Sequence, residues 1–184
     1  GTDAAVFEGR VQDYRVKVSH VDVLGNGQAT LTANVTDLRT GKVTMTTEVE
    51  KLQFADRSLD LTSGANAPVA ADDRMRAYRE TPFTVATKNL LMNDWDLEGQ
   101  SIYVKAVDRA IGGKVAFDYY GQKITFIPDA GFVGIASFDY TLTDSSGKTS
   151  TATARIEVDP YKPHDLPTDP LFPSQFNLFN TGQQ

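Results

Sequence analysis

The chain has 184 residues, 40% hydrophobic and 23% charged, with 24 acidic against 18 basic side chains and no cysteine. That length holds one large or two small domains, and the composition specifies a packed core rather than a disordered chain. A net charge of −6 disfavours nucleic acid as a partner, and without cysteine there are no disulfides, thiolate metal ligands or thiol nucleophiles.

No run of about 18 apolar residues occurs, so membrane insertion is not expected, and the N-terminus lacks the basic-then-apolar pattern of a signal peptide. The opening Gly1-Thr2-Asp3 reads as a cut within a longer polypeptide. From there nearly every periodic segment alternates with period two, which sends successive side chains to opposite faces of a strand. Tyr14, Val16 and Val18 give the first case, and Ala29, Leu31, Ala33 and Val35 the second. Val43, Met45, Thr47 and Val49 follow the turn residues of 37–42, which predicts a hairpin. Leu52 and Phe54 extend the same apolar face.

Small and polar residues with Pro68 predict a linker over 63–68, separating a β-module at 1–62 from a second one at 69–158. In the second module alternation resumes at Phe83 and Val85, then at Ile102, Val104 and Ala106. Val115 and Phe117 face Ile124 and Phe126 across Tyr119-Tyr120-Gly121. Phe138, Tyr140 and Leu142 lead through a Ser145-Ser146-Gly147-Lys148 turn into Ala152, Ala154, Ile156 and Val158. Short strands with regular turns and no helical period predict an all-β chain whose second module is a sandwich of about seven strands. Dense proline over 159–184 predicts an extended connector.

The residues that could carry chemistry are acidic. Calcium takes six to eight oxygen ligands in flexible geometry. Asp94, Asp96 and Glu98 alternate, so an extended segment would point them to one side, and Asp72, Asp73, Glu80 and Asp144 stand in segments that a sandwich brings near. The same residue types also stabilise turns by bonding nearby amides, and either role accounts for them at this stage. His20 and His164 are far apart and read as surface or packing residues. Trp95, Tyr119 and Tyr120 fall in predicted loops, where they could stack on sugar rings or pack between modules. No convergent acid, base and nucleophile can be named, so no enzyme is expected within the chain.

Three stretches bear resemblances. Residues 66–158, with Asn66-Ala67-Pro68, Leu90-Leu91-Met92-Asn93-Asp94-Trp95-Asp96, Phe132-Val133-Gly134 and Ser137-Phe138-Asp139-Tyr140-Thr141-Leu142-Thr143-Asp144, resemble the cadherin-like, immunoglobulin-type tandem repeats of large bacterial surface and secreted proteins. That resemblance implies calcium at the same acidic positions, although Glu98-Gly99-Gln100 replaces the family's frequent Asp-Gly-Asp. Residues 3–61, through Ala5-Val6-Phe7-Glu8-Gly9 and Val49-Glu50-Lys51-Leu52-Gln53-Phe54-Ala55-Asp56, look like the β-module that accompanies RTX-type calcium-binding nonapeptides, which are themselves absent. Residues 169–183, with Phe176 in place of a usual tryptophan, are similar to the start of kexin-like subtilisin domains but carry none of their catalytic motifs. Together these imply a calcium-binding, non-catalytic structural or adhesion module of a secreted or cell-surface protein, with neighbouring repeats as partners. The alternatives are a module binding extracellular polysaccharide through Trp95 and the tyrosines, and an accessory segment of a subtilisin-like protease.

Overall fold

The computed structural model describes residues 3–21 and 30–161, with the side chains of His20 and Val21 outside that description. The connector expected beyond Tyr161, the protease-like stretch at 169–183 and His164 also lie outside the described residues.

Alternation in the first half becomes two three-stranded sheets. Strands β2 (Tyr14–Val21), β3 (Thr30–Asp37) and β4 (Val43–Thr47) form an antiparallel meander. The second sheet has β5 (Lys51–Gln53) at its centre, parallel to β1 (Ala4–Val6) and antiparallel to β6 (Ser58–Asp60). Inward-facing Val16, Ala33, Val35, Leu52, Phe54 and Leu59 are buried between the sheets. Phe7, Tyr14 and Phe54 form an aromatic triad with centroids 5.2–5.5 Å apart, spacings at which tilted and offset rings attract.

The second half is a seven-stranded sandwich, as the periodicity predicts. One sheet orders as β10 (Gly113–Asp118), β11 (Lys123–Pro128) and β8 (Phe83–Ala86), all antiparallel. The other orders as β7 (Asp73–Tyr78), β13 (Thr149–Asp159), β12 (Gly134–Asp144) and β9 (Ile102–Ile111). Its β7–β13 pair is parallel and the rest antiparallel. Strand β12 buries Ala136, Phe138, Tyr140 and Leu142 completely, and β13 buries Ala154, Ile156 and Val158. Phe138 stacks on Phe126 of the opposite sheet at 6.4 Å, so the two layers are joined at the centre of the core. Each such side chain stabilises the fold by about 1.5–3 kcal/mol through burial. The described residues hold one α-helical turn, α1 (Thr87–Leu90), after β8, and one 3-10 turn, Val11–Asp13, before β2.

The halves share a core. Val69 and Trp95 belong to the second half by sequence, yet both are buried in the cluster formed by Val11, Tyr14, Leu52, Phe54 and Leu59. Between them the backbones form an isolated antiparallel bridge, with Val69 N to Trp95 O at 2.7 Å and Trp95 N to Val69 O at 3.1 Å. Residues leading into that bridge are tied down as well. Arg57 Nη2 donates to Pro68 O at 2.9 Å, and buried Asn66 exchanges bonds with the Asp60 backbone at 2.9 and 2.6 Å.

Candidate functional site

The predicted acidic residues fall into two groups, with Glu80 apart. Tyr140 organises the first. Its position in an inward-facing row of β12 places a phenol deep in the sandwich, where the hydroxyl needs a partner. It lies 2.8 Å from Ala71 O, 2.8 Å from Asp73 Oδ2 and 3.4 Å from both oxygens of Asp94. Asp94 Oδ1 also accepts from Ala71 N at 2.7 Å. Asn93 Nδ2 bridges the carbonyls of Ala71 and Asp72 at 3.2 Å.

A single phenolic proton cannot satisfy two carboxylates, and burial favours the neutral form of each. Burial is the main reason the Asp94 pKa rises to about 7, with the Asp73 charge adding to it and the Ala71 amide, Tyr140 and Arg15 opposing. Burial likewise lifts Asp73 to about 6 against the bonds from Tyr140 and Asn93. Tyr140 is itself pushed upward by burial and the two carboxylates, and stays a neutral donor.

Asp72 points away from the pair. Its Oδ1 accepts from Thr153 N at 3.0 Å, and its Oδ2 lies 3.3 Å from Arg155 Nη1 and 3.9 Å from Arg10 Nη1. With Asp72 N donating to Gln12 Oε1 at 3.3 Å, this residue links the two halves of the chain.

The second group lies where the connector and two loops meet. Asp96 Oδ1 accepts from Glu98 N at 3.0 Å and Gln100 N at 2.9 Å, closing the 96–100 turn. Glu98 Oε1 accepts from Asn66 Nδ2 at 2.7 Å and Asn66 N at 3.3 Å, fastening that turn to the connector. Asp144 Oδ1 accepts from Ser146 N, Ser146 Oγ and Lys148 N at 2.7–2.9 Å. Burial works against the Asp144 charge, and these bonds outweigh it and hold its pKa below the usual value. Ser145 Oγ donates to Gln100 Oε1 at 2.7 Å, and Lys148 Nζ donates to Ala65 O, which brings the β12–β13 turn beside both other segments.

One oxygen of each of these three carboxylates has no partner. Asp96 Oδ2, Glu98 Oε2 and Asp144 Oδ2 are all buried and unbonded. An unpartnered buried polar atom costs about 1–3 kcal/mol, and more when charged. Among the described residues, however, no three His, Asp or Glu side chains already stand together in a metal-holding arrangement.

Glu80 joins neither group. It sits exposed in the turn after β7 with φ of 55°, at the end of the sandwich where Tyr78 pairs with Asp159. The Asp144 turn begins β13 at the other end, about 30 Å away at the usual rise per strand residue. Trp95 does not face solvent as a stacking surface: it is packed between the halves with Arg15 over its ring at 5.6 Å. Tyr119 and Tyr120 are exposed at the β10–β11 turn, edge to face at 5.7 Å. Tyr140, Asn66 and Lys148 are the partners that spacing does not reveal. A tyrosine between Phe138 and Leu142 in an inward row is the signal that could have exposed the first.

Fold and junction define an immunoglobulin-type β-sandwich preceded by a smaller β-module fused to it. The chain belongs to the bacterial Ig domain family, whose model matches residues 65–157. That match covers the second half, so the resemblances of 3–61 and 169–183 rest on sequence alone. No curated protein matches the chain. Among solved structures it is similar to the endo-fucoidan hydrolase MfFcnA4 from glycoside hydrolase family 107, at 15% identity and a TM-score of 0.35. A single-residue variant of that enzyme gives 15% and 0.39. In both cases the likeness covers 88% of this chain and 28% of the other. Among the described residues no helix is long and apolar enough to cross a membrane.

Proposed function

We propose that the chain is a non-catalytic structural segment of a secreted or surface protein, in which calcium stiffens the junction between a small β-module and a bacterial Ig domain. The observation that carries this reading is the set of three buried, unbonded carboxylate oxygens on Asp96, Glu98 and Asp144. They sit on segments already joined through Asn66, Gln100 and Lys148. A divalent cation that draws these oxygens together supplies the missing partner for each and cancels their mutual repulsion. Of the residues named from sequence, Asp96, Glu98 and Asp144 are the proposed ligands. Asp73 and Asp94 form the separate pair around Tyr140, Asp72 is an ion-pair residue, and Glu80 lies outside the site.

Stiffening is the useful outcome because the connector between the halves passes through this cluster. A fixed junction holds successive modules of one polypeptide in a constant orientation for adhesion or display. The test is calorimetric titration of calcium into the chelated full chain, with thermal unfolding in parallel. Heat and a raised melting temperature that vanish together in Asp144→Asn and Asp96→Asn are expected. A silent titration with no thermal shift removes calcium from the reading.

A further inference from the structure

The outward face of the four-stranded sheet carries an open groove of about 510 Å³ lined by Arg74, Met75, Arg76, Ile135, Arg155 and Glu157. Register builds it. Strand β7 lies in parallel beside β13, so Arg74 stands directly across from Arg155, and Arg76 across from Glu157, whose other neighbour is Ile135. Two of the three guanidinium groups are held by carboxylates at the rim. Arg76 pairs with Glu157 at 3.3 Å and Asp159 at 3.5 Å, and Arg155 pairs with Asp72 at 3.3 Å. Arg74 forms no ion pair among the described residues, although it faces another cation across the ladder. Like charges directly opposed on adjacent strands destabilise a sheet.

We infer that this groove is a subsite for an anionic group, a sulfate ester or a carboxylate, carried on a polysaccharide. A bidentate anion between Arg74 and Arg155 converts their repulsion into two charge-assisted contacts of the geometry guanidinium forks favour. Exposed Ile135 supplies an apolar floor for a sugar ring. The hydroxyls of Thr153, Thr141 and Thr151 continue along neighbouring positions of the same sheet, and suit sugar hydroxyls. A polysaccharide fits better than a nucleic acid. The chain's net charge of −6 repels a densely charged phosphate backbone, whereas one guanidinium without an ion pair, Arg74, beside a row of hydroxyls matches a ligand whose charges are widely spaced.

Affinity electrophoresis of the full chain, with chelator present so that calcium plays no part, tests the inference. Gels contain dextran sulfate, polygalacturonate or neutral dextran. The expected result is retardation by at least one charged polymer and none by dextran. Retardation by dextran sulfate alone assigns a sulfate ester, and by polygalacturonate alone a carboxylate. Arg74→Ala weakens the interaction about tenfold, the loss expected for a hydrogen-bonded charged contact. Arg74→Lys, which keeps the charge without the fork, loses part of that. Thermal unfolding of Arg74→Ala at or above the wild-type temperature confirms an intact sheet. No retardation, retardation undiminished in Arg74→Ala, or an equal response to a single-stranded oligonucleotide would overturn the assignment.

Discussion

Val69 and Trp95 exchange two backbone hydrogen bonds, at 2.7 and 3.1 Å, while their side chains complete the core of the module that precedes them. The guanidinium of Arg15 lies over the indole, 5.6 Å from its centroid. The smaller module therefore borrows part of its hydrophobic core from the Ig domain.

Trp95→Ala should destabilise the chain by about 3–5 kcal/mol, the loss typical of removing a large buried aromatic. Urea denaturation followed by circular dichroism should show one cooperative transition in the wild type, moved to lower urea in the variant. Two separate transitions with only the first one shifted would mean that the halves unfold independently.

Stability should fall as pH rises from about 4 to about 7. Asp73 and Asp94 titrate at about 6 and about 7 in the folded chain, against about 3.9 unfolded. In that window the folded state binds more protons than the unfolded one, so their contribution is fully present below the unfolded value and is lost as pH climbs through the folded values. The groups facing the pair are Tyr140, Asn93 and, at longer range, Arg15 and Asp72. Full conversion of both rises would amount to about 7 kcal/mol, and solvent screening of half-buried Asp73 brings the expected effect down to on the order of 3 kcal/mol. Urea midpoints measured in chelator at pH 4.5 and 7.5 check it, and Asp94→Asn should flatten most of the slope.

Tyr140→Phe should cost about 1–3 kcal/mol by leaving Ala71 O and the carboxylates without their donor. Because the hydroxyl lowers the pKa of both carboxyls, its removal should also move the pH profile of stability upward. A variant with lower stability and an unmoved profile would confine the role of the hydroxyl to its bond with Ala71 O.

Gly113→Ala should be among the more damaging small substitutions. A Cβ there would lie 2.4 Å from Ile127 O and 2.4 Å from the Phe126 ring, at the start of β10 where two strands approach closely. Overpacking of this kind costs about 1–3 kcal/mol. Thermal denaturation should show it beside Gly131→Ala, whose Cβ meets nothing and whose penalty is the positive φ of 73° alone.

Strands of the sandwich were legible because each has one buried and one exposed face, which imposes period two on Phe138, Tyr140 and Leu142 and on Ala152, Ala154 and Ile156. Strand β7 was not, because its outward positions are arginines and its inward ones are Asp73, Met75 and Ala77, a weak alternation that reads as an acidic entry segment. The acidic cluster was legible in part. Even spacing of Asp94, Asp96 and Glu98 predicts one shared side, but the Asp96 turn separates them: Asp94 goes inward to Ala71 and Tyr140, and Glu98 to Asn66. Trp95 read as a loop aromatic because its partners, Val69 and Arg15, are distant in sequence.

The parallel pairing of β7 with β13 determines how the Ig domain answers a pull along the polypeptide. Six residue pairs, from Asp73 with Ala154 to Tyr78 with Asp159, align the strand that enters the domain with the strand that leaves it. Tension between the entering and leaving chain acts along this ladder in opposite directions, so its evenly spaced bonds are sheared together rather than peeled in turn. Rupture then requires the whole seam to slip at once.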